Sequence, residues 1–209
     1  AAPSPDSALR DELLLNRTEA DNAALLERIM LPAFNVRGIS GGGVGNQAAN
    51  AVPTTAGASI DFRLVPAQTP ARVRELVEAH LRGQGYHIVH REPTPEERRS
   101  HARVVFLQWG GGYPASRADM SSPAARAVVR AVEMGTGSSV ISVPTMGGSL
   151  PLYIFDEVLE TPIVTVPIVN HDNNQHASNE NLRLQNLLDG MQVYAALAAH
   201  LGDLWTAVP

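Results

Sequence analysis

Lysine and cysteine are both missing from the 209-residue sequence, and all 16 basic side chains are arginine. Without lysine there is no Schiff base, no P-loop lysine and no lysine general base. Without cysteine, thiol catalysis, thiolate-ligated zinc and disulfides are excluded. The lack suits an exported enzyme without demanding one, so the compartment stays open. Any bound metal must use His, Asp or Glu. Aromatic residues make up only 5%, the formal net charge is a modest -5, and no basic run occurs, so nucleic acid is not an expected partner. No apolar run is long enough to span a bilayer, so no membrane partner is expected either. The opening Ala1-Ala2-Pro3-Ser4-Pro5 lacks the charged start and apolar stretch of a signal peptide, and reads equally as a processed or truncated end.

What is present is a globular composition, 44% hydrophobic and 18% charged, in a chain long enough for one large domain or two small ones. Residues 1–17 read as a loosely ordered arm with a turn of helix near 9–15. Asp21 is placed to cap a short helix with Leu25 and Ile29 on one face, which Pro32 ends. A strand over 34–39 runs into the glycine-rich 40–46 and then a second strand from Ala56, which favours a hairpin-type connection over a phosphate cradle. Alternation puts Ala56, Ala58, Ile60, Phe62 and Leu64 on one face, with Asp61 and Arg63 on the other. Arg63 is then either a solvated arginine paired with Asp61 or a guanidinium that takes a carboxylate bidentately.

Thr69-Pro70 opens a helix that Gly83 closes, and 86–91 is the next strand. Strand, strand, helix, strand is most of a split β-α-β sandwich. His80, His87, His90 and His101 show no metal-like clustering and read as structural or exposed. Residues 92–100 read as a charged surface loop, 103–107 as a short strand and 109–114 as a connection between domains. Ser122-Pro123 starts a helix that Gly135 and Gly137 stop. A strand over 140–143, a helix over 152–159, a buried strand over 163–169 and a long closing helix follow. That order belongs to a layered α/β domain, but it leaves a sheet edge exposed.

At the end of the buried strand stands Asn170-His171-Asp172-Asn173-Asn174-Gln175-His176-Ala177-Ser178-Asn179-Glu180. In open α/β sheets ligands are held beyond the carboxyl ends of the strands, where His176 could offer a neutral imidazole. The alternative is that Asn173, Asn174 and Ser178 only turn the chain and cap the helix, with His176 an exposed loop residue.

Three blocks resemble the dinuclear-zinc exopeptidases and amidohydrolases, which include glutamate carboxypeptidases, carnosinases and aminoacylases. They are Phe34-Asn35-Val36-Arg37-Gly38-Ile39 with Asn50-Ala51-Val52-Pro53 and Ile60-Asp61-Phe62-Arg63-Leu64-Val65-Pro66; Gly147-Gly148-Ser149-Leu150-Pro151; and His176-Ala177-Ser178-Asn179-Glu180. They stand in the family's order across roughly 32–201. The resemblance implies an α/β chain in which 1–115 is the latter part of a ferredoxin-like (split β-α-β) lid and dimerisation domain with an N-terminal arm. Residues 116–209 would be the closing part of a layered α/β zinc-hydrolase catalytic domain. It further implies that His176 is the terminal zinc ligand, that Arg63 binds the substrate's carboxylate, that Gly148 and Ser149 seat that end, and that Asn50 reaches the reacting carbonyl.

The intact enzyme would use two zinc ions to hydrolyse a small peptide or N-acyl amino acid, as a homodimer joined through the lid. The family's His-x-Asp pair, its adjacent Glu-Glu and its lid histidine match nothing in 1–31, and Pro144-Thr145-Met146 stands where many members carry an arginine. With at most one zinc ligand, the isolated chain is expected to be inactive. The alternatives are a non-catalytic dimerisation or small-molecule-binding module derived from this family, and an enzyme assembled from separate chains.

Overall fold

Residues 6–206 are described in the structure, a computed structural model; residues 1–5, the start of the expected arm, lie outside them. The fold is mixed α/β with two small sheets, and the chain divides into two compact units.

One unit comprises Met30–Ser116 with Ser149–Tyr153. The β-branched and aromatic alternation produces an antiparallel hairpin of β1 (Ala33–Ser40) and β2 (Gly57–Arg63), with Phe34 opposite Phe62 and a bulge between Val36 and Gly38. In the connecting loop, a Cβ on Gly43 would lie 2.1 Å from the Gln47 carbonyl oxygen, so only glycine permits that turn. Helix α4 (Pro70–Gly83) has the expected punctuation, with Thr69 Oγ1 accepting from the Arg72 amide at 3.2 Å. Strand β3 (His87–Val89) pairs in parallel with β4 (Val104–Phe106), not with the hairpin.

The charged stretch expected to be a loop instead folds into α5 (Pro95–Ser100). Thr94 and Glu97 form a reciprocal capping box and Pro95 begins the first turn, so the prolines that suggest a loop instead pre-set a helix start. Phe34 meets Phe62 edge-on at 5.3 Å, and Phe62 stacks on Trp109 at 6.4 Å. Ile60, expected inside, remains 43% exposed, because no second layer covers that part of the hairpin's face.

The other unit gathers the described residues up to Ile29, Arg117–Gly148 and those from Ile154 onward. Its first segment is α1 (Asp6–Glu12), α2 (Glu19–Asn22) and α3 (Leu25–Arg28). Asp21 does not cap the third of these; it lies within α2 in a left-handed conformation, and Asp6 Oδ1 accepts from the Leu25 amide at 2.8 Å instead. Helix α6 (Pro123–Thr136) starts at the Ser122 cap and ends at Gly137 with φ 69°. It packs on α7 (Leu184–Thr206) through a seam of small residues. Ala127 and Ala131 are wholly buried there, and a Cβ on Gly135 would stand 3.0 Å from Val193 Cα.

The strands expected over 140–143 and 163–169 do not form a ladder, and 152–159 yields only the π-helical turn Ile154–Val158. A strand exists by pairing, and among the described residues no neighbouring strand offers its amides and carbonyls to these segments. Carbonyls of the second segment are satisfied from α7 instead: Tyr194 Oη donates to Val166 O at 2.9 Å and Asn186 Nδ2 to Ile168 O at 3.1 Å. Among the described residues, no helix is long and apolar enough to cross a membrane.

Candidate functional site

Arg63 closes β2, and its position in the alternation puts it on the face shared with Asp61. Its Nε donates to Asp61 Oδ2 at 2.6 Å and its Nη1 to Ser149 Oγ, a residue 86 positions later. These two bonds hold the guanidinium while its Nη edge keeps N–H groups for an incoming acceptor. The ion pair with Asp61 is half-exposed and contributes little stability, but it orients the guanidinium. Beside Arg63 lies an apolar groove of about 270 Å³ between the hairpin and α4, lined by Phe34, Phe62, Leu64, Val73 and Leu76. The groove is not evident from the alternation alone, because its second wall comes from α4.

Behind the groove, α4 carries an ionic hub. Glu78, 8% exposed, accepts from Arg74 at 3.0 Å, Arg82 at 2.8 Å and Trp109 Nε1 at 3.1 Å. Burial pushes its pKa up, but the hydrogen bonds from Arg74, Arg82 and Trp109 and the charge of His90 outweigh it and hold the carboxyl below its ordinary value. His90 also contacts the Leu107 carbonyl at 3.2 Å, and His87 stacks on His101 with centroids 3.7 Å apart, so these histidines have structural neighbours. Asn50 is exposed in the loop after the short 3-10 turn Gly45–Gln47, with no side-chain hydrogen bond to the described residues.

In the other unit, Gly148 has open space around its missing Cβ, so packing does not demand glycine there. His176 lies on an exposed loop with φ 65°, and Asn174 and Asn179 also take left-handed angles, 55° and 63°. Among the described residues no side chain hydrogen-bonds its imidazole, and no group of three or more His, Asp or Glu stands close enough to hold a metal ion. The loop's ends are closed by residues that carry no motif in the sequence. Asn170, 6% exposed, accepts from the Arg183 amide at 3.1 Å and donates to Asp172 at 2.8 Å. Arg183 Nη2 pairs with Asp172 at 2.5 Å. The Asn170 hydrogen bond chiefly, opposed by desolvation and helped by the Asp172 amide and the charges of Arg183 and His171, holds the Asp172 carboxyl below its ordinary range.

A family profile described as "Peptidase dimerisation domain" matches residues 9–88. The human Beta-Ala-His dipeptidase is 24% identical over 176 residues, 83% of this chain and 32% of the relative. Among solved structures, an M20 family metallo-carboxypeptidase from Sulfolobus solfataricus aligns with TM-score 0.74 at 21% identity, covering 96% of this chain and 43% of that one. Human carnosine dipeptidase 1 aligns at 0.70 and 17% identity, covering 94% and 40%, and the dipeptidase Dug1p of Saccharomyces cerevisiae at 0.66 and 18%, covering 100% and 41%. The chain thus spans about a third of the curated relative and about two fifths of these structures. The resemblance to these exopeptidases, drawn from three short blocks, is shown, and it includes a peptidase dimerisation domain.

Proposed function

We propose that this chain, which carries the dimerisation domain of a metallopeptidase, is the carboxy-terminal portion of a zinc-dependent hydrolase cutting a peptide or N-acyl amino acid bond next to a free carboxylate. The observation that carries this reading is the bond between Arg63 and Ser149. Two blocks far apart in sequence, both assigned by resemblance to the substrate's carboxylate end, meet in one unit beside an apolar groove. In this role the Arg63 fork and the Ser149 hydroxyl grip the carboxylate, and Asn50 reaches toward the scissile carbonyl.

The lid reading is supported by the order of elements in this unit. The order of elements, hairpin then helix then strand (β1, β2, α4, β3), is most of a split β-α-β sandwich. Since the profile match begins at residue 9, the lid domain is proposed to include the amino-terminal segment as well. Homodimerisation would use this domain, whose β1 exposes all eight of its residues.

His176 fits a metal as one ligand: an imidazole with no side-chain partner, held on a loop of defined backbone angles. Zinc bound there would lower the pKa of a coordinated water and polarise the scissile carbonyl. A catalytic zinc needs about three protein ligands, so the remaining ones must come from outside this chain. The test is zinc content and hydrolysis of carboxylate-bearing dipeptides and N-acyl amino acids by the full-length protein. Activity that a chelator removes and zinc restores is expected; a zinc-free protein that cleaves neither substrate would favour a non-catalytic module.

A further inference from the structure

The loop carrying His176 is closed in two tiers. At its neck, the side chain of Asn170 bridges the backbone of Arg183 and the carboxylate of Asp172, and the Arg183 guanidinium closes the triangle on the same carboxylate. Above it, the Asn181 amide donates to Asn173 O at 2.9 Å, the Ala177 amide to Asn174 O at 2.9 Å, and Asn181 Nδ2 to Asn179 O at 2.9 Å. Below it, Asn186 and Tyr194 of α7 tie down the segment that feeds the neck. A Cβ on Gly190 would lie 2.8 Å from Ile168, so the same helix also presses closely on that segment.

This much fixation has an evident object. His176 takes a left-handed backbone conformation, which costs an L-residue free energy and persists only where the surroundings over-determine it. Asn170 is among the few buried polar residues described, and its amide is used on both sides, so it works as a cross-brace and not as a solvated turn residue.

We infer that Asn170, Asp172 and Arg183 form a clasp that positions His176 as a metal ligand, fixing the loop's geometry without touching the metal. This rests on the metallopeptidase reading above. Groups hydrogen-bonded directly to a ligand cost a site about 10- to 100-fold in metal affinity when removed, and the clasp, acting through the loop backbone, is expected to fall in that range.

The experiment titrates zinc ions into the full-length protein carrying Asp172→Asn, Arg183→Gln, Arg183→Lys or Asn170→Ala, and follows amide hydrogen exchange of residues 171–182. Asp172→Asn and Arg183→Gln change half-exposed side chains, so they keep the test valid if Asn170→Ala, at a buried position, fails to fold. Expected are zinc binding weakened about 10- to 100-fold, loss of exchange protection confined to the loop, and partial rescue by Arg183→Lys. Zinc affinity unchanged in the Asp172 and Arg183 variants, in a protein whose wild type binds zinc, overturns the clasp and leaves the hydrolase reading standing. A wild type that binds no zinc overturns that reading, and the clasp's metal role with it.

Discussion

Arg63 is held by Asp61 and Ser149, and the proposed function adds the substrate's carboxylate as a further partner. Under that proposal, replacing it by Ala in the longer hydrolase should remove a charge-assisted contact of about 1.5–3 kcal/mol, roughly 10- to 150-fold in kcat/KM for substrates with a free carboxylate. An amidated substrate should show a much smaller loss; equal losses on both would return Arg63 to a solvated arginine paired with Asp61. A second residue reads out through pH. The Arg91 fork, at 2.7 and 2.8 Å, and the Thr94 amide lower the Glu97 pKa from 4.5 to about 2. A depressed carboxylate pKa stabilises the fold above its unfolded value and loses that contribution as pH falls from there toward the folded value. Amide protection in α5 should therefore decline between about pH 4.5 and 2. Glu97→Gln should flatten that decline.

Helices whose signals lie within a single segment are legible in the sequence. Thr69-Pro70 with Gly83, and Ser122-Pro123 with Gly137, bound α4 and α6 as the punctuation rules expect. Helix α5 carries its own signal in Thr94 and Glu97, but Pro93 and Pro95 read as breakers and mask it. The hairpin follows from alternation. The segments at 140–143 and 163–169 have strand-like composition, yet composition cannot supply the partner that makes a strand. For the candidate site, the meeting of Arg63 with Ser149 is implied by motif resemblance, whereas the Asn170–Arg183 closure is not. It joins two ordinary polar residues across a loop, and nothing local marks either one. The α6–α7 seam gives an element-scale test: Ala131→Leu overpacks a wholly buried position and should cost about 1–3 kcal/mol, read as a lowered Tm. Thr94→Ala should cost about 1 kcal/mol, confined to α5.

At the scale of the molecule, many large apolar side chains stand in water, with Ile39 81%, Val52 90% and Leu150 64% exposed. Exposed apolar side chains, where they gather into a patch, mark surface that associates. The isolated chain should therefore bind a hydrophobic dye and self-associate, and under the proposed function the longer hydrolase should do neither beyond forming a dimer. Light scattering of both checks this. In the proposed function His176 is a zinc ligand that this chain contributes to a site completed elsewhere. Its most direct test is zinc stoichiometry, measured with dipeptide hydrolysis, for full-length wild type and His176→Ala. Zinc-dependent hydrolysis is expected in the wild type, with metal content and activity both lost in the variant; unchanged zinc content and activity in His176→Ala would contradict it.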